Sequence, residues 1–192
     1  MAIPPADLPR VLGGVLREVV EVLAAEGAPH MVIGGLAVGA HGRVRATKDV
    51  DLSVQADTET TSRIIQRIQA LGFSARVHGP TGPGAIVRFV RAGEDGISRW
   101  VDLLFSGTPF EDLAIRRASP VRLLGLDVPV ASLEDLLVFK MLAGRPQDEA
   151  DVIALLGQHA GRMDDAYLDQ RAGEWDLVEA LARFRSRARS TL

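Results

Sequence analysis

Hydrophobic positions along the chain change period several times, and each change predicts a helix or a strand. Residues 7–26 carry leucine and valine at helical spacing along one face. A short apolar run at residues 31–33 predicts a buried strand, and residues 36–41 predict a short helix after the glycine turn. Residues 48–54 alternate strictly between polar and apolar, which predicts a strand with two different faces.

The middle of the chain continues to mix the two patterns. Asp57 is a plausible N-cap for a helix that runs to Leu71. Residues 86–90 and 97–105 read as two strands of a hairpin, because glycines and acidic residues separate them. Residues 108–118 predict a helix, and residues 121–130 predict one or two short strands around Gly125.

From Ser132 onward every periodic segment is helical. Four helices are predicted there, at residues 133–143, 148–159, 164–171 and 174–189. Strands with interleaved helices followed by helices alone indicate an α/β (α+β) protein with a helical C-terminal half. The expected division is a sheet core at residues 1–130 and a helical region at residues 131–192 that packs on it.

Composition narrows the class of protein. The chain has 192 residues, of which 47% are hydrophobic and 24% charged, with a formal net charge of −3. These values are typical of a folded domain and disfavour a strongly basic nucleic-acid binder. The sequence contains no cysteine, which excludes disulfides, thiolate zinc sites, iron–sulfur clusters and cysteine nucleophiles.

Targeting signals are not evident in the sequence. The first residues show neither a basic region nor an apolar core typical of a signal peptide. No apolar run approaches the roughly 18 residues that a membrane-spanning helix needs. We therefore expect a cytoplasmic protein with no membrane partner.

Three acidic residues lie in predicted strands. Asp49 and Asp51 are two residues apart, so their side chains point the same way and repel each other unless a cation lies between them. Asp102 stands inside an otherwise apolar strand, where an unpaired charge is costly. If the two strands are neighbours, three carboxylates converge and can hold divalent metal for displacement at phosphorus. The alternatives are a solvated strand face and an edge-strand charge.

A glycine turn precedes this pair of acids. Gly34-Gly35 at the end of a strand lets backbone N–H groups approach a phosphate closely at the start of a helix. Arg43, Arg45 and Lys48 lie between the turn and the acids, where they could neutralise a triphosphate. A purely structural turn and ordinary surface arginines remain the alternatives.

Order and spacing of these residues resemble the nucleotidyltransferase superfamily that includes DNA polymerase beta. The matching residues are Ile33-Gly34-Gly35, Asp49-Val50-Asp51-Leu52 and, more loosely, Asp102. The stretch from Gly34 to Asp49 is especially similar to minimal and AbiE-type bacterial nucleotidyltransferases. The resemblance implies a small mixed sheet flanked by helices, with the site at one edge of the sheet.

The resemblance also implies roles for individual residues. Asp49 and Asp51 would hold two Mg²⁺ (or Mn²⁺) ions, while Asp102 would hold the catalytic ion and help to deprotonate the acceptor. Gly34 and Gly35 would position the nucleoside triphosphate (NTP), with Arg45 and Lys48 near its phosphates.

Lys140 is a further candidate in the C-terminal half. It falls within the apolar stripe of residues 133–143, so it must reach solvent along the helix or meet an anion. The following segment, residues 145–151, also resembles the AbiE-type families, in which charged residues of this segment contribute to activity. We therefore carry over a catalytic role for Lys140; Asp148 is a weaker candidate, for which capping of the next helix is the alternative.

The function expected from these residues is transfer of a nucleoside monophosphate from NTP to an acceptor hydroxyl. Three acceptors fit: the 3′ end of a tRNA, a hydroxyl on a partner protein, or a small antibiotic. The first two belong to toxin–antitoxin or defence modules, in which a cognate toxin or antitoxin is the partner. A non-catalytic antitoxin or binding protein with the same fold is the alternative from a different class, and a two-metal hydrolase is a lesser one.

Overall fold

The computed structural model describes residues 8–93 and 95–190. Asp7, where the first helix was predicted to begin, lies outside these residues. Eight helices occur in the described chain: α1 (Leu8–Ala25), α2 (Gly34–Ala40), α3 (Thr58–Ala70), α4 (Pro109–Arg117), α5 (Leu133–Ala143), α6 (Pro146–Gln158), α7 (Asp165–Glu174) and α8 (Val178–Arg189). Seven strands accompany them: β1 (His30–Val32), β2 (Asp49–Val54), β3 (Ser74–His78), β4 (Ile86–Ala92), β5 (Ser98–Phe105), β6 (Ser119–Leu123) and β7 (Leu126–Val130).

Two compact units make up the described chain. The first contains the described residues up to Leu36 together with Ala46–Ala131, and the second contains Ala37–Arg45 and the residues from Ser132 onward. The boundary falls inside α2, so the segment that follows the glycine turn belongs to the helical unit. The sequence interpretation had assigned this segment to the sheet core.

The first unit is built on a mixed sheet, as the sequence predicted. Its seven strands follow the order β3-β4-β5-β2-β1-β7-β6. The neighbours of β2 are antiparallel β1 and parallel β5, and β1 is in turn parallel to β7. Both β2 and β5 are therefore interior strands of the sheet, whereas the resemblance implied a site at one edge of the sheet.

Alternation along the strands builds the core of this unit. Val50, Leu52 and Val54 on β2 are fully buried, whereas Asp49 and Asp51 are only partly buried; Ser53 departs from the alternation and is buried. Helix α1 turns its buried leucines and valines inward and contacts β2, β5 and α3. This burial fixes the register of β2, because a slip of one residue would move the acids into the core.

Helical predictions were accurate where caps are present. Asp57 caps α3 by accepting a hydrogen bond from the Thr60 backbone N–H at 2.7 Å. Helix α6 begins at Pro146, so Asp148 lies in its first turn and does not cap it. Helix α8 begins at Val178, later than predicted, after Asp176 with its positive φ of 55°.

Strand β3 was missed by the sequence interpretation. Four of its five residues are exposed, and it pairs only with β4. An exposed edge strand has no buried face, so its sequence lacks the alternation that predicts a half-buried strand. The loop that follows it is rich in glycine and proline, which favoured a loop in place of a strand in this part of the sequence.

The second unit packs α5 to α8 around its own core. Contacts join α5 with α6 and α7, and α8 with α6 and α7. Tyr167 on α7 donates a hydrogen bond at 2.6 Å to Asp135, which is fully buried on α5. Within residues 8–93 and 95–190, none of the helices has the length and apolar character that crossing a lipid bilayer requires.

Candidate metal and nucleotide site

The three acids of the sequence pattern meet on one face of the sheet. Asp51 on β2 is directly opposite Asp102 on β5, and Asp49 lies two residues before Asp51. One carboxylate oxygen from each residue lies within 4.8 Å of those of the other two. All three side chains are partly exposed, so a cation can reach them from solvent.

Gly34 makes room for Asp51. Its φ of +63° is in the left-handed region, where side chains are disfavoured. An added β-carbon would overlap Oδ2 of Asp51 and lie 2.6 Å from the Asp51 β-carbon. The Ile33 backbone N–H also donates a hydrogen bond at 3.0 Å to the Asp51 carbonyl. Glycine is therefore required here by both backbone conformation and the position of a candidate metal ligand.

Two other side chains hold the acids in place. Thr47 donates its hydroxyl to Oδ1 of Asp49 at 2.9 Å. Arg88 on β4 lies directly opposite Asp102 and forms a two-pronged ion pair with it, at 2.8 Å through Nε and 2.5 Å through Nη2. The pKa of Arg88 is raised above its ordinary value, chiefly by its hydrogen bonds to Asp102 and by the negative charge of Asp102. The charges of Asp49 and Asp51 raise it further.

Arg88 was absent from the sequence-predicted site. A partial signal for it existed, because residues 86–90 and 97–105 were predicted to pair as a hairpin; the observed register, with Ala92 opposite Ser98, places residue 88 opposite residue 102. The hairpin was recognised, but its register was not followed across to Asp102.

The donor set fits a hard divalent cation. Carboxylate oxygens are the ligands that Mg²⁺ and Mn²⁺ prefer, and Mg²⁺ usually takes one or two carboxylates and keeps several waters. The ion pair between Arg88 and Asp102 offsets the charge of one of these three carboxylates. Arg88 occupies two of about four acceptor positions on the Asp102 carboxylate, which leaves acceptor capacity on both oxygens.

Lys140, the candidate in the helical unit, is buried against two aspartates. Its ammonium lies 2.7 Å from Asp148 and 3.1 Å from Asp151, and its side chain is 4% exposed. The lysine therefore meets an anion inside the protein and does not extend to solvent. Asp148 also binds Arg145 at 2.5 Å.

Arg45 belongs to the same cluster. Its guanidinium contacts both oxygens of Asp151, the shorter contact being 3.0 Å, and Arg43 contacts Asp151 at 3.0 Å. Burial alone would raise the pKa of Asp151, but hydrogen bonds from Arg45 and Lys140 outweigh it and the pKa is lowered. For Asp148, burial is likewise outweighed by Arg145 and Lys140, so its pKa is also lowered.

Comparison with known proteins finds similarity in structure alone. No family model matches the chain, and no curated protein matches it. A nucleotidyltransferase-like antigenic protein from Paracoccidioides brasiliensis superposes with a TM-score of 0.55 and 18% identity, over 96% of this chain and 93% of that one. JHP933 from Helicobacter pylori superposes with a TM-score of 0.56 and 14% identity, over 98% of this chain and 92% of that one.

A third solved structure extends the similarity to an enzyme that modifies a small molecule. The lincosamide antibiotic adenylyltransferase LnuA has a TM-score of 0.51 and 17% identity, over 73% of this chain and 93% of that one. This chain has a nucleotidyltransferase-like fold. In this fold the three acids lie on two adjacent interior strands, β2 and β5, of the mixed sheet.

The remaining predicted residues of this nucleotidyltransferase-like fold fall in different places. Gly35 is buried in the first turn of α2, and Lys48 is exposed immediately before β2, both in the sheet unit. Arg45 and Lys140 lie in the helical unit and share Asp151. Their predicted parts in nucleotide binding and catalysis stay predictions.

Proposed function

We propose that this protein is a Mg²⁺-dependent (or Mn²⁺-dependent) nucleotidyltransferase. It would transfer a nucleoside monophosphate from NTP to an acceptor hydroxyl and release pyrophosphate. The observation that carries the proposal is the convergence of Asp49, Asp51 and Asp102 beside the Gly34 turn, with oxygens from all three within 4.8 Å of one another.

The reaction is a displacement at the α-phosphorus. The acceptor oxygen forms a new bond to that phosphorus, and the bond from it to the oxygen bridging to the β-phosphate breaks. The electron pair of that bond leaves with pyrophosphate, and the hydroxyl proton passes to Asp102. Arg88 leaves acceptor positions open on the Asp102 carboxylate for this proton.

Other residues bind and orient the nucleotide in this proposal. The bound metal supplies charge neutralisation at the phosphates, and the three aspartates hold it. Gly34 and Gly35 allow the backbone to approach the triphosphate, and Lys48 contributes a cation from the exposed end of β2. The resemblance assigns nucleotide binding to Arg45 and a catalytic role to Lys140. Each of them also forms an ion pair with Asp151.

The acceptor is proposed as a tRNA 3′ end or a protein hydroxyl, within a toxin–antitoxin or defence module. Support comes from the similarity of residues 34–49 and of the segment around Lys140 to AbiE-type proteins. A cognate toxin or antitoxin protein would then be the partner.

A transfer assay tests this proposal. The purified protein is incubated with each α-labelled NTP and Mg²⁺ in the presence of total cell RNA or total cell protein. We expect label in one macromolecular fraction, with pyrophosphate as the second product. Phosphate release in place of pyrophosphate would contradict the proposal and indicate a hydrolase.

A matched pair of variants gives the control. Asp51→Asn should abolish transfer, because it removes a proposed metal ligand. Asp127→Asn should not, because Asp127 is an exposed residue whose partner is the exposed Arg122. Equal loss in both, or no loss in either, would contradict the assignment.

Two alternatives have a specific observation behind them. The ion pair between Arg88 and Asp102 favours a non-catalytic protein of this fold, since it already neutralises one acid. The structural similarity to LnuA favours an antibiotic as acceptor. Stoichiometric partner binding without NTP turnover would support the former, and label transfer to a small molecule the latter.

A further inference from the structure

An exposed face of the sheet continues outward from the three acids. Register across β3, β4, β5 and β2 places four charged residues in one row: Arg76, Arg88, Asp102 and Asp51. Direct neighbours in such a row are about 5 Å apart, so the row leads from the acids to the edge of the sheet through two arginines. Arg76 and Arg88 are both exposed.

An aromatic residue lies beside the acids on this face. Trp100 on β5 is directly opposite Asp49 on β2, and it is 37% exposed. The Arg88 guanidinium lies 5.8 Å from the centre of its ring. Ile86, two residues from Arg88 on the same face, is 46% exposed. Large apolar side chains and cations thus lie together, which is typical of surfaces that bind bases and phosphates.

One cation on this face, Arg76, has no ion-pair partner among the described residues. Arg76 and Arg88 lie directly opposite each other on β3 and β4, an arrangement that is destabilising for like charges. Arg88 is paired with Asp102, but no described residue forms an ion pair with Arg76. An anion bound between the two arginines would remove the repulsion.

We propose that the face formed by Arg76, Arg88, Trp100 and Ile86 binds the acceptor as a single-stranded nucleic acid. A terminal base stacks on Trp100 next to Asp49, and the preceding phosphates lie along Arg88 and Arg76. This inference rests on the proposed function, and among the acceptors proposed there it favours a nucleic acid over a protein or an antibiotic. A polycationic antibiotic is disfavoured next to Arg76, because like charges would meet there and no described carboxylate forms an ion pair with Arg76.

The test measures binding without catalysis. A short fluorescein-labelled single-stranded RNA with a free 3′ hydroxyl is titrated with the full chain, and fluorescence anisotropy is followed at several salt concentrations. Arg76→Gln should weaken binding about uniformly across sequences and reduce the salt slope by about one. Trp100→Leu should weaken binding roughly tenfold, whereas Trp100→Phe should retain most of the affinity because stacking is kept.

Arg116→Gln is the control for charge alone. Arg116 is an exposed arginine on α4 in the same unit, and no described residue forms an ion pair with it. Its replacement should leave both RNA affinity and salt slope unchanged. Circular dichroism melting of each variant separates loss of binding from loss of folding.

The outcomes separate the inference from the proposed function. Unchanged affinity in both Arg76→Gln and Trp100→Leu, or equal loss in Arg116→Gln, overturns the inference even if the protein transfers nucleotide to another acceptor. Loss confined to the Arg76 and Trp100 variants supports the face, and the same binding in Asp51→Asn shows that it does not depend on catalysis. Preferential binding of a polycationic antibiotic by the wild-type protein overturns the inference as well.

Discussion

Two clusters of aspartates, one in each unit, have opposite charge balances. In the sheet unit, Asp49, Asp51 and Asp102 are partly exposed, and Asp102 forms an ion pair with Arg88. In the helical unit, Asp148 and Asp151 are buried and are surrounded by four cations: Lys140, Arg43, Arg45 and Arg145.

The contrast is between buried carboxylates that several cations hold and partly exposed carboxylates that we propose as metal ligands. Buried aspartates and the cations around them neutralise each other's charge. Removing one aspartate therefore leaves a buried cation without a counter-charge. Partly exposed aspartates whose oxygens lie within 4.8 Å of one another repel when no cation lies between them, and removing one of them relieves the repulsion. The two clusters should therefore respond in opposite directions to the same kind of substitution.

The largest effect is expected on activity in the sheet unit. Asp49→Asn or Asp51→Asn should reduce nucleotide transfer by roughly 10³-fold, since a metal ligand is worth several kcal/mol of transition-state stabilisation. The melting temperature should stay the same or rise, because one of three repelling charges is removed. Loss of transfer together with a large drop in melting temperature would place Asp51 with the structural aspartates.

The same substitution in the helical unit should destabilise the protein. Asp151→Asn leaves Lys140 and Arg45 without their shared carboxylate and should cost about 3–5 kcal/mol of unfolding free energy. Urea denaturation measures this loss, and Asp127→Asn is the exposed control. A cost below about 1 kcal/mol would mean that the buried cluster is no more important than a surface ion pair.

Gly34→Ala should combine both kinds of effect. The new β-carbon would overlap the Asp51 carboxylate, and the residue would keep a positive φ. We expect a loss of about 1–3 kcal/mol of stability from the backbone and the clash. Because Asp51 must move, transfer activity should fall as well. Gly14→Ala, at a position with open space around it on α1, is the control and should not impair activity.

Acid should affect the two clusters differently. The pKa values of Asp148 and Asp151 are lowered in the folded protein, so their stabilising contribution is complete above the unfolded value of about 3.9. It is lost as pH falls below that value and through the folded pKa. Unfolding free energy measured down the acid limb should therefore decrease less steeply in Asp148→Asn than in wild type, and an unchanged slope would contradict the role of this pair.

Arg88→Gln should give the smallest effect. Arg88 forms an ion pair with one of the acids, Asp102, and it is half exposed. Its removal should tighten Mn²⁺ binding about two- to fivefold, in line with the modest energy of an exposed ion pair. Weaker Mn²⁺ binding in this variant would show that Arg88 orders the site more than it competes with the metal.

Local pattern was sufficient to predict the acids and the glycine turn. Alternation puts Asp49 and Asp51 on one face. Asp102 lies in an apolar strand, so the prediction that it joins them required only that its strand be a neighbour of β2. The parallel pairing of β2 and β5 meets that condition. Metal binding by these residues is still to be measured.

Long-range pairing limited the rest. The contact of Arg45 with Asp151 spans 106 residues, and no local pattern encodes it. Lys140 was recognised as a charge that needs an anion, but two internal aspartates were not considered as that anion. Strand β3 was missed because an exposed edge strand needs no apolar face.

Titration with Mn²⁺ alone, followed by electron paramagnetic resonance, tests the central claim most directly. The account predicts that the wild-type protein and Asp127→Asn bind Mn²⁺ with the same affinity, and that Asp51→Asn, although folded, loses this binding. Equal Mn²⁺ binding by wild type and Asp51→Asn, or no binding by wild type, would contradict it.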